Sequence, residues 1–262
     1  MNFNNQNNTV EAVPIKEIPN VKKSVVDVYF ADRDLTCTYF NDMFNLKIGD
    51  FVYVEGKLEG KRGRVVDINY NFKIKLSDYK RVIGVADTCV AGEFHQAGSH
   101  FVTTDSNALP YKKVLTWFKA PDSDEEEYVS SSNDETFNLS ELGKMNIKPE
   151  NAECGHEYYM ENRVIYIELN AGKGKAIVAG HHNYEVEFNY DNENISGLVC
   201  NCYCAGTCKH EFATMLQLRD IINVIKKQYP HVDHNNYVVA ISKVKFFEFV
   251  IDGNDSGSFR MG

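Results

Sequence analysis

The chain has 262 residues, enough for one large domain or two small ones, each able to bury a core. Its formal net charge is −9, which argues against a generic binder of phosphate backbones, and no apolar run approaches membrane-spanning length. The first residues, Met-Asn-Phe-Asn-Asn-Gln-Asn-Asn, lack the charge-then-apolar order of a secretory signal, so a cytoplasmic location is the expectation and no membrane partner is.

Residues 1–24 are polar, Asn-rich and interrupted by Pro14 and Pro19, and read as a flexible tail. From Ser24 the pattern turns to β. Val25, Val26, Val28, Tyr29 and Phe30 make a strand. Phe51–Glu55, Val65–Tyr70 and Phe72–Leu76 follow as further β-branched or aromatic runs separated by glycine turns. Short strands joined this way imply a small barrel over residues 25–118. Between Lys57 and Arg81 eight basic residues face three acidic ones, interleaved with Tyr70, Phe72 and Tyr79. Lys57, Lys61, Arg62, Arg64, Lys73 and Lys75 are the candidate nucleic-acid contacts, because basic charge beside aromatic rings suits phosphate pairing and base stacking. A solvated strand face over an aromatic core is the plainer reading of the same run. Cys89, His95 and His100 lie near one another, but at no zinc spacing.

Ala120–Thr136, "APDSDEEEYVSSSNDET", is acidic and Ser-rich and reads as a surface linker within residues 119–149. From Lys119 to Asn162 three basic residues meet twelve acidic ones, so this segment accounts for the whole net charge. "NLSELGKMNI" reads as a short helical turn, with Ser140 as a candidate cap. Residues 150–262 form the second expected domain. Val164–Leu169, Ala176–Ala179 and Tyr184–Tyr190 read as strands. "NNYVVAISKVKFFEFVID" reads as one or two more.

Four of the seven cysteines fall in one stretch, Cys-Asn-Cys-Tyr-Cys-Ala-Gly-Thr-Cys-Lys-His, from Cys200 to His210. Zinc explains such a stretch, since it takes four Cys or His donors in a tetrahedron. The expected ligands are Cys200, Cys202, Cys208 and His210. Cys200 and Cys202 share one face of an extended strand. Cys208 and His210 sit where a helix begins, with Met215, Leu218, Ile222 and Ile225 at helical spacing. Cys204 is an alternative to Cys200, but would leave only three residues before Cys208.

The order CxC, short gap, CxH, then helix ("CNC", "YCAGT", "CKHEFATMLQL") resembles the SWIM zinc finger, and the strands before it extend the resemblance over residues 150–228. Cys154-Gly-His156 falls where that family enters its first strand. "GDFVYVEGKLEGKRGRVVDI" resembles a KOW-type motif at Gly49, Val52, Val54, Gly56, Gly60, Gly63 and Val65. Together they imply an α+β protein: a small β-barrel, then a β-rich zinc domain with one main helix. GxxxxGK[ST], GxSxG and HExxH are all missing, so a non-enzymatic role is expected. The resemblances imply a partner that is DNA or RNA. The alternative is an adaptor or inhibitor that sets its acidic segment against a basic protein. Oligomeric state is open.

Overall fold

Strand pairing follows the burial pattern of the first β run, where Ser24, Val26, Val28 and Phe30 point inward and the residues between them do not. The computed structural model describes residues 21–120, 135–231, 236–251 and 257–262; most of the expected tail and linker lies outside these. Strands β1 (Ser24–Phe30), β2 (Leu35–Asn41), β3 (Phe51–Val54), β4 (Arg62–Asn69) and β5 (Val82–Val85) form an antiparallel sheet in the order β2-β1-β4-β3-β5. Its core is Val26, Val28, Phe30, Val52, Val54, Val65 and Val82. Gly63 is demanded by this packing, because a Cβ there would meet Val28 at 2.3 Å and the Phe30 ring at 2.8 Å. The edge strands touch at a single bridge, Phe40–Arg81, with the Phe40 N–H donating to the Lys80 carbonyl at 2.9 Å. The expected barrel is therefore not closed. The seam is crossed by the loop after β4, whose Phe72 ring packs 6.0 Å from Phe40. That loop was expected as a strand over Phe72–Leu76; it has no partner strand and ends in a 3-10 turn at Leu76–Asp78.

The second sheet has nine strands. Chain order gives β6 (Gly92–Ala97), β7 (His100–Thr103), helix α1 (Tyr111–Leu115), β8 (Phe137–Asn138), α2 (Pro149–Met160), β9 (Val164–Asn170), β10 (Lys173–Ala179), β11 (Asn183–Asp191), β12 (Asn194–Cys200), α3 (Lys209–Gln228), β13 (Tyr237–Ser242), α4 (Lys243–Phe246) and β14 (Phe259–Met261). The spatial order is β14-β6-β7-β13-β9-β10-β11-β12-β8, antiparallel except for β14 against β6. Sheet pairing thus divides the 25–118 unit after Val85: the hairpin β6–β7 joins the C-terminal strands through β13. The stretch after β13 is helical, with a π-helical turn over Phe247–Ile251.

Both faces of the large sheet are covered. On one face Ile167, Leu169, Val178, Val186 and Phe188 pack with Met215, Leu218, Ile222 and Ile225 of α3. Each such fully buried aliphatic side chain contributes about 1.5–3 kcal/mol relative to exposure. On the other face Tyr166, Ile177, Val239 and Ile241 pack with Trp117, Phe246 and Phe249. This second core also receives the small sheet. Trp117 stacks on Phe249 at 4.8 Å, the Phe51 ring lies 5.6 Å from Phe249, and the Tyr53 hydroxyl donates to the Thr116 carbonyl at 3.0 Å. No helix among the described residues is long and apolar enough to cross a membrane.

Candidate metal centre

The end of a strand and the start of a helix present the CxC and CxH residues to each other. Cys200 is the last residue of β12, held opposite Val186 of β11. The chain then bends, so Cys202 reaches the cluster from a turn rather than from the extended strand expected for it. Cys208 is the N-cap of α3, with extended backbone, and His210 is the second helical residue. The Cys208 N–H donates to Glu211 at 2.6 Å, the return half of a capping box. Thr207 is fixed by a bridge to Ile147 and accepts from the Asn151 amide at 3.0 Å. The ligand loop is therefore pinned at both ends.

The Sγ atoms of Cys200, Cys202 and Cys208 and a ring nitrogen of His210 all lie within 4.8 Å of one another. His210 Nδ1 is 3.7 Å from Sγ of Cys200 and 3.7 Å from Sγ of Cys208. A tetrahedral zinc with ordinary Zn–S and Zn–N bonds has edges of about 3.6–3.8 Å, which the two separations from His210 Nδ1 match. Cys208 and His210 are buried, and Cys200 and Cys202 half-buried. Thiol hydrogen bonds from Cys200 and Cys208 hold the Cys202 thiol well below its usual range, while Cys200, hydrogen-bonded to Cys202, is pushed up to about 12. The cluster lies beside the N-terminus of α3, which stabilises negative charge. Burial raises the Glu211 carboxyl to about 7. Four protein donors are the number that a tetrahedral zinc would take. All seven cysteines are free thiols, and exposed Cys204 lies outside the quartet.

The basic candidates separate into two groups. Lys57, Lys73 and Lys75 are exposed, as is Lys80, whose stem borders Gly56. Lys75 pairs with Asp78 at 4.0 Å and Lys61 with Asp32 at 3.7 Å. Arg64 donates to the Gly49 carbonyl at 3.2 Å. Arg62 turns inward instead. Its guanidinium donates to the Trp117 carbonyl, pairs with Glu248 at 2.9 Å and lies 4.2 Å from the Phe249 ring centre, so it joins the two sheets.

Among the described residues the other histidines and cysteines form no second metal-binding group. His100 is buried with Nε2 on the Val164 carbonyl at 2.7 Å, and His95 packs on Tyr229. Cys154 and His156 are exposed on α2 rather than at a strand entry. Sequence reading missed Glu211, although its place three residues after an N-cap is a visible signal. It also missed Tyr184, which stacks on His210 with centroids 4.0 Å apart and carries no local motif. No protein-family model matches the chain, and neither the curated proteins nor the solved structures yield a match.

Proposed function

We propose that the chain is a zinc-stabilised, non-enzymatic binding protein whose ligand is a nucleic acid, DNA or RNA. The observation that carries the zinc half is the quartet of Cys200, Cys202, Cys208 and His210, with all four donor atoms within 4.8 Å. Three thiolates and one imidazole suit zinc, and a closed cage is a structural one. Apparent binding energies of about 10–16 kcal/mol for such cages exceed the net stability of a small domain, so zinc would be part of the fold. The CxC–CxH order, which resembles the SWIM finger, supports the same reading.

The nucleic-acid half is supported by the exposed lysines around the seam of the small sheet. Lys57 lies on the loop after β3, and Lys73, Lys75 and Lys80 on the loop after β4, which also carries Tyr70, 46 % exposed with Lys22 Nζ 4.3 Å from its ring centre. Lys57 lies within the KOW-like stretch. Phosphate contacts need such lysines and an aromatic ring can stack a base. Arg62 has no part in this face.

Fluorescence anisotropy against single- and double-stranded DNA and RNA, at two salt concentrations, tests the reading. Lys73→Glu with Lys75→Glu should weaken binding across sequences, and each lost phosphate contact should flatten the log–log salt slope by about 0.9 on duplex DNA or about 0.7 on a single strand. A wild-type chain that binds none of these at low salt refutes it and favours the adaptor role, in which loss of Glu125, Glu126 and Glu127 would abolish partner capture.

A further inference from the structure

His210 is held by more than the donors it faces. Tyr184, on β11, lies flat against the imidazole, with ring centroids 4.0 Å apart and planes 19° from parallel. Tyr158, near the end of α2, meets the same ring edge-on at 5.4 Å and 65°. Tyr158 is itself flanked by cations, with Arg163 and Lys209 each 4.6 Å from its ring centre. Tyr184 occupies space that residue 180 leaves open only because it is glycine: a Cβ at Gly180 would come within 2.7 Å of Tyr184 Cε2. The turn carrying Cys202 is tied to the same strand, since the Asn201 N–H donates to the Glu185 carbonyl at 3.1 Å and the Glu185 N–H to the Asn201 side chain at 2.9 Å. Nδ1 faces the thiols, whereas Nε2 is buried without a hydrogen-bond partner among the described residues.

We infer that Tyr184 and Tyr158 are positioning residues that commit Nδ1 of His210, and not Nε2, to the metal, with Gly180 keeping Tyr184 in place; the inference rests on the zinc reading above. A metal-bound histidine ordinarily gives its other N–H to a carboxylate or carbonyl, and that bond fixes tautomer and ring orientation. Here no such acceptor is present among the described residues. An imidazole free to turn would carry its buried Nε2 toward an acceptor, or toward the metal. The ring stacked on its face and the ring packed edge-on block both turns, so aromatic contact supplies the orientation that a hydrogen bond supplies elsewhere.

The test combines zinc affinity, measured on the full chain by competition with a chromophoric chelator, with the ¹⁵N shifts of the His210 ring. The wild type should show Nδ1 metal-bound and Nε2 protonated. Tyr184→Ala should bind zinc about 10–100-fold more weakly, the loss usual when the support of a metal ligand is removed. Tyr184→Phe keeps the stacking ring and should stay near the wild type. Gly180→Ala touches no ligand but displaces Tyr184, and should weaken binding in the same direction; it decides the matter if circular dichroism shows Tyr184→Ala unfolded. Wild-type affinity and Nδ1 ligation in both Ala variants, or Nε2 ligation in the wild type, overturns the positioning role while leaving the zinc reading intact. A wild type that takes up no zinc overturns both.

Discussion

Replacing Arg62 by Ala separates a structural role from a ligand-binding one. In the folded chain the guanidinium donates to the Trp117 carbonyl, a charge-assisted bond of the kind worth about 1.5–3 kcal/mol. Its ion pair with Glu248 is part-exposed, at 27 % and 34 %, and adds at most about 1 kcal/mol. Stacking 4.2 Å over Phe249 adds about 0.5–2 kcal/mol. One group makes all three contacts, so they do not sum, and a net loss of about 3 kcal/mol is expected. Urea unfolding of Arg62→Ala should show a lower midpoint with an unchanged slope, whereas Lys57→Ala, on an exposed loop, should stay within about 0.5 kcal/mol of the wild type. Arg62→Lys keeps the charge but not the planar fork and should recover only part of the loss. The reasoning fails if Arg62→Ala unfolds like the wild type yet binds nucleic acid with a flatter salt dependence.

Three further outcomes are expected. Cys208→Ala or His210→Ala should abolish zinc binding and unfold the region around α3, while Cys204→Ala should be mild in thermal melts, because Cys204 lies outside the quartet. Burial lowers His100 to about 4 from 6.5, so the folded state resists its protonation; the stability present above pH 6.5 is lost as pH falls toward about 4, by roughly 3 kcal/mol. Titrating stability against pH for His100→Gln and the wild type, which share the same Cys/His cluster, should show a flatter acid limb in the variant, and parallel curves would refute the assignment. Gly174→Ala puts a Cβ 2.1 Å from the Phe188 ring and should lower the melting temperature, with partial rescue by Phe188→Leu.

What the sequence made legible was local chemistry. The CxC and CxH residues announce a candidate metal site because ligand types and spacing are read within eleven residues, and the helix after them because Met215, Leu218, Ile222 and Ile225 repeat at helical period. Helix α2 escaped notice because Gly155 is its one buried residue, so it has no apolar stripe; Pro149 at its first turn was the available signal. Strand β2 is exposed over its first half and owes its place to full register with β1. Phe72–Leu76 shows the converse: Phe72 and Ile74 turn inward between exposed lysines, as in a strand, but the backbone finds no partner. Arg62 was unreadable because its partner Glu248 is 186 residues away. Such long-range pairing, like that of β7 with β13, carries no local pattern.

Metal content of the purified full chain, measured by elemental analysis beside thiol alkylation, tests the central claim most directly. One zinc per chain is expected, with Cys200, Cys202 and Cys208 protected from alkylation until a chelator is added and Cys204 reactive throughout. A chain that carries no zinc, or one in which Cys204 is protected and Cys200 is not, would contradict the account.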